Sequence, residues 1–171
     1  WRWKGVPFYL RTGKRLKEKQ SMISICFKRP PQQFFKDTQV DAGGHNWLLL
    51  GIQPEESLRL EMTVKEPGLE MKTRKTSLDA GFRVDDEKET DAYEDLLLDV
   101  FIGDQSLFLR WDEVEWAWRI VDPVIKSWAE QTEDIDTYRA GSWGPSNSRN
   151  LFHHEDLRWR HSLNFSEEDY T

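Results

Sequence analysis

A nine-residue stretch near the middle of the chain, residues 57–65, constrains the fold more than any other part of the sequence. Apolar and polar side chains alternate along it, which is typical of a β-strand with one dry face and one polar face. Pro67 and Gly68 then turn the chain into residues 69–74, which alternate again. This pattern predicts a β-hairpin within an antiparallel sheet. Its polar positions, which predict either a solvated face or a partner surface, are Arg59, Glu61, Lys72 and Arg74.

Three other apolar segments are candidate strands. Residues 22–28 place Ile23 and Ile25 on one face, which indicates a strand that is at least half-buried. Residues 47–53 are apolar on both faces, as a central strand covered on both sides would be. The apolar run Val6–Leu10 predicts a further, buried strand.

The second half of the chain changes to a helical period. Residues 91–101 predict a helix capped by Thr90 or Asp91 and stopped by Gly103. A longer helix begins near Asp112, and Pro123 predicts a kink or break in it. Strands followed by helices indicate an α+β fold, mostly antiparallel sheet with helices packed on one face. The expected buried stripe of the longer helix is Val114, Ala117, Trp118, Val121, Ile125 and Trp128.

Composition limits the class of protein. With 171 residues, of which 37% are apolar, the chain is large enough for one domain with a core. Its net charge of −7 repels a phosphate backbone, so we expect no nucleic-acid partner. Cys26 is the only cysteine, as suits a cytoplasmic protein without disulfides. No apolar stretch approaches the roughly 20 residues of a membrane span, so we expect no membrane partner.

Most familiar catalytic motifs are missing from the sequence. No Gly-x-Gly-x-x-Gly follows a predicted strand, which argues against a dinucleotide fold within these residues. His153 and His154 are adjacent, and adjacent side chains on a helix point about 100° apart, so we expect no metal site there. Cys26 in a strand is interpreted as inert packing.

A basic cluster follows the apolar run near the start of the chain. Five of the 24 basic residues lie within nine positions, and Gly13 allows the backbone to turn among them. On composition alone, the cluster is either a local anion site or a solvated lysine-rich loop. Its members are Arg11, Lys14, Arg15, Lys17 and Lys19.

Six motifs, taken in order, closely resemble the C-terminal domain of glucose-6-phosphate dehydrogenase. The resemblance extends from residue 3 to about residue 160. The motifs are GVPFYLRTGKRL at 5–16, IQPEE at 52–56, DAYE with LLLDV at 91–100, DEV with AWR at 112–119, Asp122-Pro123, and GSWGP at 141–145.

The resemblance implies that this chain is one domain of a longer enzyme. Residues 1–160 would form its C-terminal substrate-binding and dimerisation domain, and residues 161–171 an acidic tail that frays. That family oxidises glucose 6-phosphate to 6-phosphogluconolactone with NADP, in the first step of the pentose phosphate pathway. The NADP would lie on an N-terminal Rossmann domain absent from this chain, and the catalytic base, a histidine, would lie in the same missing part. We therefore expect the 171-residue fragment to be inactive by itself.

The resemblance also assigns substrate contacts. Lys14 matches the lysine that reaches the sugar phosphate, and Lys19 falls where a second basic residue assists it. Gln53 matches a glutamine that hydrogen-bonds the sugar. Arg11 would belong to a supporting shell. These side chains suit glucose 6-phosphate, since a dianion needs cations and a polyol needs an amide that both donates and accepts.

Two further expectations follow from the resemblance. The family forms its dimer largely through the sheet of this domain, which favours an oligomer surface on part of the polar strand face. Some members hold a second, structural NADP, but Gly51, Arg59 and Glu61 stand where that version has a basic residue, an aromatic and a lysine, so we predict none here. The alternative function is a stand-alone sugar-phosphate-binding or assembly module that has this fold and no activity.

Overall fold

The chain divides into two compact units in the computed structural model. One unit comprises residues 1–85 and 137–171, and the other comprises residues 86–136. The structure describes residues 2–29, 45–70, 72–82, 92–131, 135–153 and 157–163. The helix cap at Thr90 or Asp91, His154 and the last eight residues of the predicted tail lie outside these ranges.

The first unit contains a four-stranded antiparallel sheet whose strands lie in chain order. This confirms the predicted antiparallel sheet and the hairpin through Pro67 and Gly68. The turn of the hairpin closes with a hydrogen bond from the amide of Glu66 to the carbonyl of Lys72, 2.8 Å long, so the last strand begins later than the alternation predicts. The strands are β1 (Ser21–Cys26), β2 (Trp47–Gln53), β3 (Ser57–Lys65) and β4 (Thr73–Gly81).

The register of β2 and β3 defines the two faces of the sheet. Trp47 pairs with Glu61 and Leu49 pairs with Arg59, so these four side chains share one face. Leu49 is fully buried and Trp47 is 9% exposed. The interior position of β2 agrees with its apolar sequence, because an interior strand loses solvent at both edges.

The C-terminal segment covers part of that face. The guanidinium of Arg160 donates two hydrogen bonds, 2.8 and 3.0 Å long, to the carboxylate of Glu61. Arg160 is only 4% exposed, and its guanidinium lies 5.6 Å from the ring centroid of Trp47. Arg59 donates to the carbonyl of Leu163 over 3.0 Å and pairs with Asp79. Charged residues are rarely this buried unless they are paired, and this pairing explains why a strand's polar face turns inward.

The grouping of four polar residues on one face is therefore wrong in two respects. Arg74 pairs with Val64, which places it on the face opposite Arg59, and Lys72 precedes β4. The alternation of 69–74 suggested one continuous strand, but the turn extends to residue 72 and so shifts the assignment of faces by one residue.

The predicted buried strand at Val6–Leu10 is also wrong. These residues form no strand, and Phe8 and Leu10 are 69% and 86% exposed. Tyr9 alone is well covered in this run, because its ring packs on Phe152 and Trp159 at centroid distances of 4.6 and 6.4 Å. An apolar run supplies the side chains of a buried strand, but it does not supply the neighbouring strand that would pair with its backbone.

The second unit contains the two predicted helices, α1 (Ala92–Ile102) and α2 (Trp111–Glu130). α1 ends as expected, since Gly103 follows it with a φ of 76°, in the left-handed conformation. α2 runs through Pro123 without a break. Together, the sheet and the helices confirm the α+β class. Among the described residues, no helix is both long and apolar enough to cross a membrane.

The predicted burial of the α2 stripe is not observed. Within residues 93–131 no described side chain is buried, and Trp118 and Trp128 are 57% and 66% exposed. Helical spacing identifies which side of a helix is apolar, but it does not specify what covers that side.

The buried ion pair gives the first prediction. Glu61→Leu should lower the free energy of unfolding of the chain by about 3–5 kcal/mol, because it leaves the Arg160 guanidinium buried without its counterion. Urea unfolding measures this loss. The control is Glu115→Leu, which removes an exposed pair with Arg119 and should cost at most about 0.5 kcal/mol. Equal losses in the two variants would contradict the importance of burial.

Candidate functional site

The basic cluster lies in an exposed turn that precedes β1. Lys14 and Lys19 are both exposed, whereas Leu16 between them is half-buried and anchors the turn. Within the part of the chain that the structure describes, the ammonium groups of Lys14 and Lys19 make no hydrogen bond or ion pair. Both cations are therefore available to an anion from solvent.

The backbone of this turn is held by a distant segment of the chain. Tyr138 Oη donates to the carbonyl of Lys14 over 2.8 Å. The amide of Gly141 donates to the carbonyl of Arg15 over 2.9 Å, and the amide of Lys17 donates to the carbonyl of Ser142 over 3.1 Å. Three hydrogen bonds thus hold the backbone of the turn at Lys14, Arg15 and Lys17.

Gln53 is the last residue of β2 and is exposed. It pairs with Ser21, the first residue of β1, so it lies beside the end of the segment that carries Lys19. The peptide bond between Gln53 and Pro54 is cis. The sheet therefore brings Gln53 and the Lys19 end of the turn to the same corner, while Lys14 is positioned through Tyr138.

Arg11 is engaged by aromatic side chains of its own chain. Its guanidinium lies 5.3 Å from the ring centroid of Trp143 and 4.8 Å from that of Trp159. It also donates to Nδ1 of His161 over 3.0 Å and to the carbonyl of Trp143 over 3.5 Å. Burial lowers the pKa of Arg11 from its usual value. A guanidinium so occupied organises its surroundings, and this suits the expected supporting role.

The remaining chemical candidates are Cys26 and the histidine and acidic side chains. Cys26 is half-buried in β1, where its Sγ lies 3.8 Å from the carbonyl oxygen of Phe27. Among the residues that the structure describes, no group of three or more histidine, cysteine or acidic side chains could hold a metal ion.

Comparison with known proteins identifies the family. The family model for the glucose-6-phosphate dehydrogenase C-terminal domain matches residues 1–160. The chain belongs to this family. A glucose-6-phosphate 1-dehydrogenase from Rhizobium meliloti is 41% identical over 165 residues, which cover 95% of this chain and 33% of that protein. One from Mycolicibacterium smegmatis is 42% identical over 160 residues, covering 93% and 32%.

Solved glucose-6-phosphate dehydrogenases share the fold. The enzyme from Mycobacterium avium matches with a TM-score of 0.67 and 28% identity, over 90% of this chain and 31% of that one. A glucose-6-phosphate dehydrogenase in complex with its substrate glucose 6-phosphate matches with a TM-score of 0.70 and 28% identity, over 87% and 30%. The chain thus spans about a third of the length of its relatives.

Sequence reasoning did not assign Tyr138 or Arg160 to any role. Gly141 and Gly144 follow Tyr138 and both have positive φ angles, but glycines typical of a turn do not reveal which distant backbone the turn contacts. No local sequence pattern marked Arg160 as buried or paired, since its partner Glu61 lies 99 residues away.

Arg11 bridges two aromatic rings and two hydrogen-bond acceptors, which a lysine cannot do. We expect Arg11→Lys to lower the free energy of unfolding by about 1–2 kcal/mol, because an ammonium cannot contact both rings and both acceptors at once. Urea unfolding provides the measurement. Arg149→Lys, at an exposed position, is the control and should change stability by less than about 0.5 kcal/mol. A change in the Arg11 variant as small as the control's would disprove its bridging role.

Proposed function

We propose that this chain is the substrate-binding and oligomerisation domain of an NADP-dependent glucose-6-phosphate 1-dehydrogenase. The whole enzyme oxidises glucose 6-phosphate to 6-phosphogluconolactone. The observation that carries this proposal is the family match over residues 1–160, within which an exposed basic turn lies beside Gln53. The NADP that accepts the hydride and the catalytic base belong to the rest of the enzyme, so the 171-residue chain alone is expected to be inactive.

The proposed site binds substrate through complementary charge and hydrogen bonding. Lys14 and Lys19 neutralise the phosphate dianion, and charge-assisted hydrogen bonds of this kind are among the stronger ones in proteins. Gln53 offers an amide that donates to one sugar hydroxyl and accepts from another. Arg11 does not contact the substrate in this scheme; it holds the aromatic side chains behind the turn.

A second, structural NADP is not part of the proposal. The carboxylate of Glu61 accepts both of its hydrogen bonds from Arg160, and an acidic side chain would repel a nucleotide phosphate. Arg59 is engaged by Asp79 and by the carbonyl of Leu163. These residues are therefore poorly suited to hold a dinucleotide, and no step of the reaction is assigned to one there.

The substrate role of Lys14 is tested in the whole enzyme. Lys14→Ala should raise the KM for glucose 6-phosphate and lower kcat/KM by about 10- to 100-fold, the loss expected for a charge-assisted hydrogen bond of roughly 1.5–3 kcal/mol. Steady-state kinetics with varied sugar phosphate and saturating NADP measure it. The KM for NADP should not change.

Lys17→Ala is the matched control, because it removes a lysine from the same turn while leaving the backbone amide that bonds Ser142. Its KM should stay within about twofold of the parent's. An unchanged KM in Lys14→Ala would remove Lys14 from the site. A whole protein that binds sugar phosphate without oxidising it would favour the alternative of a binding or assembly module.

We further propose that the sheet supplies an oligomer surface. The end of the polar face near Arg59 and Glu61 is occupied by the chain's own C-terminal segment, which leaves the other end for a partner. Lys75 is exposed there, and its pairing with Thr63 puts it on that same face. A second copy of the chain is the expected partner, since most soluble oligomers are symmetric.

Two charge reversals on β4 test this surface. Lys75→Glu should weaken self-association of the whole enzyme by at least about tenfold, because a symmetric interface receives the change twice. Arg74→Glu is the matched control, an adjacent exposed cation on the opposite face, and it should leave association unchanged. Sedimentation velocity over a range of concentrations measures both. Dissociation caused only by Arg74→Glu would assign the interface to the other face.

A further inference from the structure

The turn that carries Lys14 has a conformation that its own sequence does not favour. Arg15 has a φ of 57°, in the left-handed region that residues other than glycine rarely adopt. Such a conformation persists when surrounding contacts determine it. Here the contacts come from residues 138–142, which we call the bracing segment, through the three hydrogen bonds to the carbonyls of Lys14 and Arg15 and the amide of Lys17.

Tyr138 makes the one side-chain contact among these three hydrogen bonds. Its hydroxyl bonds the carbonyl of Lys14 itself, the residue whose ammonium the proposed function assigns to the sugar phosphate. Fixing that carbonyl limits rotation of the backbone at Lys14, and so limits the directions in which its long side chain can extend. The other two bonds involve backbone atoms only and do not depend on side-chain identity.

Gly13 makes room for this contact. A Cβ built on Gly13 would lie 2.8 Å from Tyr138 Oη and 3.3 Å from the side chain of Leu16. Cβ atoms do not approach oxygen so closely, so any larger residue at position 13 would displace the tyrosine hydroxyl or the turn. Gly13 and Tyr138 therefore act as a pair, although 124 residues separate Tyr138 from Lys14.

We propose that Tyr138 is a positioning residue for sugar-phosphate binding, which acts through the backbone of Lys14 and requires glycine at position 13. The inference rests on the proposed function, since it assumes that Lys14 binds the phosphate. It adds that affinity for the phosphate depends on a hydroxyl that does not contact the substrate.

The first experiment is Tyr138→Phe in the whole enzyme. It removes one hydroxyl and should raise the KM for glucose 6-phosphate about three- to tenfold, as loss of an ordinary hydrogen bond would. The kcat and the KM for NADP should stay within about twofold of the parent's. Tyr9→Phe is the matched control, because the hydroxyl of Tyr9 is buried and has no hydrogen-bond partner among the described residues, and no kinetic constant should change.

A double-mutant cycle tests the pairing with Gly13. Gly13→Ala should raise the KM for glucose 6-phosphate in the parent, but it should raise it less in a Tyr138→Phe background, where the clashing oxygen is gone. If the KM increases of the two single variants multiply, within twofold, to the KM increase of the double variant, the two residues act independently and the pairing is overturned. A Tyr138→Phe variant that loses kcat and thermal stability at unchanged KM would show a merely structural role and overturn the inference.

The Lys14→Ala variant distinguishes failure of the positioning role of Tyr138 from failure of the proposed function. If Lys14→Ala raises the KM and Tyr138→Phe does not, the positioning role fails and the proposed function stands. If Lys14→Ala itself leaves the KM unchanged, both fail. If both variants raise the KM, the double variant Lys14→Ala/Tyr138→Phe should be no worse than Lys14→Ala alone, because Tyr138 then has no ammonium left to position.

Discussion

The buried pair between Arg160 and Glu61 is the interaction on which the C-terminal segment depends. Without the carboxylate of Glu61, a guanidinium that is 4% exposed would lie against Trp47 and the interior of the sheet with its main counterion missing. Such a charge is costly to bury, so the segment and the sheet stabilise each other or neither is stable in this form. The same pair places His161 and Leu163 where Arg11 and Arg59 donate to them.

From His161 the contacts continue toward the candidate site. The ring of His161 stacks on Trp143 at a centroid distance of 4.6 Å, and Arg11 bonds both residues. Nδ1 of His161 must accept, because a guanidinium can only donate. Trp143 directly follows the residues that brace the turn of Lys14. The turn is therefore attached to the sheet in two ways, through the backbone that leads into β1 and through this group of aromatic and cationic side chains.

The sequence predicted those elements whose signals are local. Alternation identified β3, and helical spacing identified α1 and α2, since each period depends only on near neighbours. It could not predict pairings that depend on distant residues. The run Val6–Leu10 was expected to be a buried strand, although none of the described strands pairs with it. The polar face of β3 was interpreted as solvent or partner surface because Arg160 lies 99 residues further on. The length of the hairpin turn decided the face of Arg74, and alternation alone does not determine turn length.

The candidate site also contains residues that the sequence could nominate and residues that it could not. Lys14, Lys19 and Gln53 could be nominated from sequence because they match substrate-contacting positions of the family that the chain resembles, and their side chains suit a sugar phosphate. Tyr138 could not, because a hydroxyl that bonds a backbone carbonyl leaves no mark on the residue that it contacts. Gly13 was the one indirect sign, and it was interpreted as freedom for the backbone to turn. Its nearest neighbour in space gives a different reason: glycine is needed at this position because the hydroxyl of Tyr138 occupies the place where a side chain would begin.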